Sequence, residues 1–324
     1  MQQNIQLDET DKHILFELEK NCRIADVKLA KIVKKSKDAV RYRITRMENA
    51  KIITDYKTWI DPFKFGYTSA TIYLTCKILP QRKQQLIDEI LENAKSYWIG
   101  VAEGAWNIAV SYFIKNNEEL YQIKQHLLSK YSDLILNISL TSVVGVSVHE
   151  KTFLLNKQSK LITFSQKTEF LRVDALSKKI LEILYTNATE NIATIAAKLK
   201  TTVDKVKQRM DKMESQQIII KYAATIDYHK LGYEYYKAFV YLKDASSQQI
   251  TAMYRYFEQS TTIINVVKQL AAWDLEIIIF ARNFAEYESS IAQFTKKFET
   301  AVQKIETATM GTDILYPCNT PLLE

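Results

Sequence analysis

The chain of 324 residues carries 44 Lys+Arg against 37 Asp+Glu, a net charge of +7, with 47% apolar and 25% charged residues. This is globular composition, long enough for two or three cores, and it excludes a chain disordered throughout. Apolar runs such as "IIIF" at 277–280 are far shorter than a bilayer span, and the polar start lacks the apolar stretch of a signal peptide, so a soluble cytoplasmic protein with no membrane partner is expected.

Cys22, Cys76 and Cys318 are odd in number, far apart and without CxxC spacing, which argues against a disulfide framework and a zinc ribbon. No metal or cofactor site is read. The charge is uneven: residues 1–170 hold 25 bases and 19 acids, residues 171–324 hold 19 and 18, and residues 28–46 hold eight bases against Asp38 alone. A patch this dense suits a polyanion, although a solvated helix can be equally basic.

In chain order, "LDETDKHILFELEKN" (7–21) spaces Leu7, Ile14, Leu15 and Leu18 along one helical face, with Asp8 as N-cap. A short helix follows at 26–33. Ser36 then caps a third helix, its hydroxyl accepting from a first-turn N–H. Around Val40, the positions of Ile44 and Met47 lie within about 40° and Arg43 about 60° away, so Arg43 edges the core. Arg41, Tyr42, Thr45 and Arg46 point outward, with Lys34, Lys35, Ser36 and Lys37 near the helix start; these are the candidate DNA-binding residues. "IITDYKTWID" (52–61) reads as a short wing tipped by Thr54 and Asp55 and a strand leading out, the winged helix-turn-helix order.

After Gly66 the pattern is a strand (67–78), an amphipathic helix (81–95), two strands joined near Glu103-Gly104 (97–114), a helix (116–131) and a strand (134–145). βαββαβ is the ferredoxin-like split pattern, whose open sheet face needs a cover.

The chain then repeats itself. At a shift of 166, residues 14–67 match 180–233 at 19 of 54 positions without a gap, and Gly145 falls on Gly311; Trp106 falls on Trp273 at 167. The third helix recurs as "TVDKVKQRMDKME" (202–214), where Val206, Met210 and Met213 keep the inner stripe. Its outer face mixes Lys205, Lys207, Gln208 and Lys212 with Asp204 and Asp211, a weaker echo of the first. Asp38 and Asp204, in matching first turns, are read as favouring the helix dipole. The expected cover for each sheet is the sheet of the other half, giving a pseudo-two-fold α/β sandwich.

The sequence from "LDETDKHIL" through "KKSKDAVRYRITRME" and "IITDYKTWIDPFKFGY", followed by βαββαβ, resembles the Lrp/AsnC (feast/famine) regulators, nearly end to end in each half. The resemblance implies an α+β fold of two winged helix-turn-helix units and two ferredoxin-like βαββαβ (RAM-type) units, two subunits fused as an internal pseudo-dimer. The expected divisions are 1–58 and 173–224 (winged helix-turn-helix), 59–149 and 225–324 (ferredoxin-like effector and dimerisation domains), and a connection at 150–172.

It further implies a transcription regulator with double-stranded DNA as partner, a homo-oligomer of fused chains, and a small-molecule effector, an amino acid or other metabolite, near a Gly-x-x-Asp hairpin. Gly104, Trp106 and Asn107 stand there in the first half, and Trp273 and Asp274 in the second, so each copy keeps only one signature residue and the two tryptophans also read as core. The alternatives are a scaffold that senses an effector or assembles without reading DNA, and an enzyme like the paired siroheme decarboxylases. The histidines His13, His126, His149 and His229 all lie outside 97–114 and 264–282, segments that read as almost without acid–base groups, so no catalytic residue is assigned and an enzyme is not expected.

Overall fold

The computed structural model describes residues 6–93, 95–149, 152–155, 161–165 and 170–315. Cys318, the end of the expected 225–324 domain, and much of the expected connection lie outside them. In chain order the elements are α1 (Glu9–Lys20), α2 (Asp26–Ile32), α3 (Lys37–Asn49), β1 (Ile53–Ile60), β2 (Thr68–Cys76), α4 (Pro80–Glu92), β3 (Ser96–Gly104), β4 (Ile108–Ile114), α5 (Asn117–Lys130), β5 (Ile135–His149) and β6 (Leu161–Ser165). They continue as α6 (Ala175–Thr186), α7 (Ile192–Lys198), α8 (Val203–Ser215), β7 (Ile219–Ile226), β8 (Glu234–Leu242), α9 (Ser247–Gln259), β9 (Ile263–Leu270), β10 (Leu275–Ala281), α10 (Phe284–Lys297) and β11 (Val302–Leu315). The order α1 to β5 recurs as α6 to β11.

The chain forms two compact units, divided differently from the expected four domains. One comprises the described residues within Met1–Asp61, His149–Lys160 and Arg172–Tyr233. Both three-helix arrays lie in it, joined by antiparallel pairing of β1 with β7, with Lys57 opposite Ala223 and Thr58 opposite Tyr222. The expected wing does not form at 52–61. Residues 53–60 make a single strand, because the hydrogen bonds that a hairpin would satisfy locally go to the other repeat. The Cys22 N–H donates to the Tyr222 carbonyl (2.7 Å) and the Ala188 N–H to the Tyr56 carbonyl (3.2 Å), the same bond at matching positions of the two halves. Lys221 and Glu19 pair at 2.6 Å, both buried, with the Lys221 ammonium 4.4 Å above the Trp59 ring. The expected connection is also part of the packing: the Phe153 ring meets Tyr228 and Tyr233 at 5.6 and 4.6 Å.

The second unit comprises the described residues within Pro62–Val148, Leu161–Leu171 and Glu234–Glu324. Its strands run β2-β4-β3-β11-β8-β10-β9-β5-β6, and β2 also pairs with β5. Eight strands therefore close into a barrel, where two separate facing sheets were expected. Closure removes every edge from the eight, and unpaired backbone edges are what a lone four-stranded sheet would expose. β5 and β11 make it possible. Each pairs first with the leading strand of its own repeat and then, past a bulge beside the matched glycines Gly145 and Gly311, with a strand of the other. Helices cover the outside: Ala70, Ile72 and Leu74 of β2 pack with Leu86, Ile90 and Leu127, and Tyr236, Ala238 and Val240 of β8 with Met253, Phe257 and Phe294. The alternate residues of these strands face the interior, as the period of two requires.

Candidate nucleic-acid interface

α3 begins at its predicted cap: the Ala39 N–H donates to the Ser36 hydroxyl at 3.2 Å, and Val40 and Met47 are fully buried. Lys34, Lys35, Ser36, Lys37, Arg41, Tyr42 and Thr45 are exposed, Tyr42 by 69%. Arg46 departs from the reading. Its Nη2 lies 2.6 Å from Asp11 Oδ2, while Arg43 Nη1 is 2.8 Å from Asp11 and 2.8 Å from Asp8. The Asp11 side chain is only 1% exposed. A buried carboxylate is costly without cations, so both long side chains fold back over α1. The sequence held a clue: Asp11 precedes Ile14, Leu15 and Leu18 by helical spacings, which places it on the inner face.

Asp8 joins the same cluster through a reciprocal capping box with Asp11. Partial burial works to raise its pKa, but the Asp11 N–H and the Arg43 guanidinium outweigh this and hold the carboxyl below its usual range. In the second copy Asp174 caps α6 and pairs with Arg209 at 2.9 Å, but Ser177 stands where the first copy has Asp11. With no buried acid to satisfy, Lys212 stays exposed where Arg46 is drawn in. Lys205, Lys207 and Gln208 are exposed with it, beside Asp204 and Asp211.

The hairpin residues expected to meet an effector serve the barrel. Asn107 Oδ1 accepts from the Cys76 N–H at 2.8 Å and Asp274 Oδ2 from the Leu242 N–H at 2.7 Å, so each pins its hairpin to the end of the leading strand. Trp106 and Trp273 are buried edge-on to Tyr73, 5.5 and 5.1 Å between ring centres. Gly104 has φ +120°, and a Cβ there would stand 2.5 Å from the Thr307 carbonyl oxygen, so glycine permits the close approach of β11 to the end of β3.

The second hairpin segment, which reads in sequence as almost without acid–base groups, supplies one that folding buries. Glu276 is buried in the barrel, 2.5 Å from Lys237 Nζ, and accepts from the Tyr73 hydroxyl (2.6 Å) and the Gln269 amide (3.0 Å). The Lys237 ammonium lies 3.9 Å above Trp98. The phenol of Tyr73 is pushed well up by burial and by the Glu276 charge. A lone acid in "LEIIIF" was the available signal. The matching positions of the first repeat are Thr71 and Ala109, so this cluster is not duplicated. A separate cleft of about 460 Å³ between α9 and α10, at the other end of β9 from the hairpin, is lined by Tyr256, Gln259, Thr262, Glu286, Ser290 and Lys297 among others.

A capped third helix presenting cations from a three-helix array, made twice, with an exposed tyrosine on the first copy, defines a helix-turn-helix protein. An AsnC-type helix-turn-helix domain model matches residues 7–48. The regulator LrpA of Pyrococcus abyssi is 30% identical over 124 residues, 38% of this chain and 87% of that protein. The proline dehydrogenase transcriptional activator of Rhodobacter capsulatus is 30% identical over 129 residues, 40% of this chain and 78% of that one. The chain belongs to the Lrp/AsnC family. The chain also shares a fold with the crystal structure of the siroheme decarboxylase NirDL, with a TM-score of 0.65, 97% of each chain covered and 11% identity.

Proposed function

We propose that this chain is a sequence-specific DNA-binding transcription regulator acting in the cytoplasm, built as two family subunits fused into an internal pseudo-dimer. The observation that carries this reading is the face of α3. Arg41, Tyr42 and Thr45 stand exposed behind Lys34, Lys35 and Lys37, in the segment that matches the AsnC-type domain. Lysines near the start of a groove-entering helix attract phosphates, while Arg, Tyr and Thr can bond base edges. α8 adds cations to the same polyanion with less net charge. Fluorescence polarisation on duplexes from the chain's own upstream region tests this: binding that weakens steeply with salt is expected, and none at low salt overturns it.

Fusion gives one chain both partners of the β1–β7 ribbon and both halves of the barrel, so a single chain already holds the paired form. Association of two fused chains would make a symmetric operator; light scattering with footprint symmetry measures it. An effector at the hairpins would meet Asn107 and Asp274 while each already accepts from a backbone N–H.

The second reading is catalysis, favoured by the full-length likeness to a siroheme decarboxylase and by the buried Tyr73, Lys237 and Glu276. We place it behind regulation because those groups satisfy one another. Titration with an iron-uroporphyrin, followed by its visible absorption band, separates the two: a saturable shift without DNA binding favours the enzyme.

A further inference from the structure

We propose that Asp26 is a positioning residue for base recognition by Arg41, gripping the guanidinium so that it meets a guanine as a pre-set fork. This rests on the DNA-binding reading above. Asp26 is the first residue of α2, and its Oδ2 lies 2.6 Å from Arg41 Nε, on the adjoining helix. The bond is to Nε alone. Among the hydrogen bonds and ion pairs of the described residues, Nη1 and Nη2 of Arg41 have no partner, and its side chain is 64% exposed.

The other two arginines of α3 are arranged the opposite way, with a terminal nitrogen committed to carboxylates: Arg43 Nη1 to Asp8 and Asp11, Arg46 Nη2 to Asp11. Only Arg41 is held by its stem side with its fork turned out. The guanidinium is planar, so fixing Nε sets the plane in which the two terminal nitrogens lie, and that edge matches O6 and N7 of guanine. Holding the side chain beforehand removes ordering that would otherwise accompany binding.

The second repeat lacks both parts. Lys207 stands for Arg41 and Ile192 for Asp26, and lysine is a point charge without a fork. Base reading of this kind therefore belongs to the first helix alone, and α8 supplies attraction to phosphate. The simpler role for Asp26, a counter-ion that merely lowers the charge of the face, makes a different prediction: its removal strengthens binding to every sequence alike.

The test uses the full chain and a randomised duplex library. Wild-type protein selects a motif, and polarisation then compares the selected duplex, the duplex with each guanine replaced, and random duplex, for wild type, Asp26→Ala and Arg41→Lys; melting curves check that each variant folds. The wild type is expected to discriminate one guanine by roughly ten- to hundredfold. In both variants that preference falls to a few-fold or less while the other motif positions persist, and Asp26→Ala binds random duplex as well as wild type or better. A preference left intact in Asp26→Ala, or loss of every motif position together, overturns the proposal. Wild-type binding to random duplex with no selected motif also overturns it, and with it the sequence specificity proposed above, while leaving DNA binding itself standing. Absence of binding to any duplex at low salt removes both.

Discussion

The carboxylate of Asp11, buried under α3, holds Arg46 at 2.6 Å and Arg43 at 2.8 Å, 35 and 32 residues away in sequence. This pairing joins the first helix of the array to the third and decides which arginines remain for a partner. Replacing Asp11 with Ala removes the carboxylate from beneath two guanidinium groups that stay partly buried. We expect a loss of roughly 2–3 kcal/mol, typical of hydrogen bonds to charged groups, measured by urea unfolding. Ser at this position, as in the second repeat, should cost less when Arg46 is also changed to Lys. A loss below about 0.5 kcal/mol would show that the cluster is solvated.

The matching exposed cations Arg41 and Lys207 should separate in their effects on DNA. Arg41→Ala is expected to weaken a selected site by roughly 1–3 kcal/mol while scarcely changing random duplex. Lys207→Ala should weaken both alike and reduce the slope of log affinity against log salt by about 1. Arg46→Ala acts chiefly on stability. Equal binding losses from Arg41→Ala and Arg46→Ala would contradict the inward placement of Arg46.

Inside the barrel, Lys237 and Glu276 are both at least nine-tenths buried. Lys237→Ala strands a buried carboxylate and is expected to cost roughly 3–5 kcal/mol, whereas the double change Lys237→Met with Glu276→Leu recovers most of it. Thermal and urea unfolding of the three proteins measure this. A double variant as unstable as the single one would show that Tyr73 and Gln269, left without an acceptor, dominate.

Between α4 and α5, Glu89 accepts from His126, Lys130 and the Tyr131 hydroxyl. Burial works to raise its pKa, but these three donors outweigh it and bring it to about 2 from 4.5. Because the folded value is the lower one, the contribution is complete above about pH 4.5 and is lost as pH falls toward about 2. The urea midpoint of wild type should therefore drop more between about pH 6 and about pH 3 than that of Glu89→Gln. Parallel curves would rule this linkage out.

Much of the fold was legible in the chain because its signals are local. Ser36 and Thr202 cap their helices through bonds three residues long, and the inner stripes of Val40 with Met47 and Val206 with Met210 follow from helical spacing alone. The duplication made this reading twice over. For α3 the exposure of Arg41, Tyr42 and Thr45 follows from the same phase.

What the sequence could not determine depends on partners distant along the chain. Helical phase turned Arg46 outward, but a side chain that long follows charge, and Asp11 supplies it from another helix. The strand at 53–60 looked like a wing until β7 offered it ladder partners far along the chain, with Lys57 opposite Ala223. Asn107 and Asp274 were placed at the hairpins by the chain order, but only folding brings them the N–H groups of Cys76 and Leu242 as donors. Composition and periodicity thus set the helices, the strands and their repetition, while the tertiary structure decided closure of the barrel and the use of each charged side chain, because both are settled by groups that only folding brings within 3 Å, the approximate reach of a hydrogen bond.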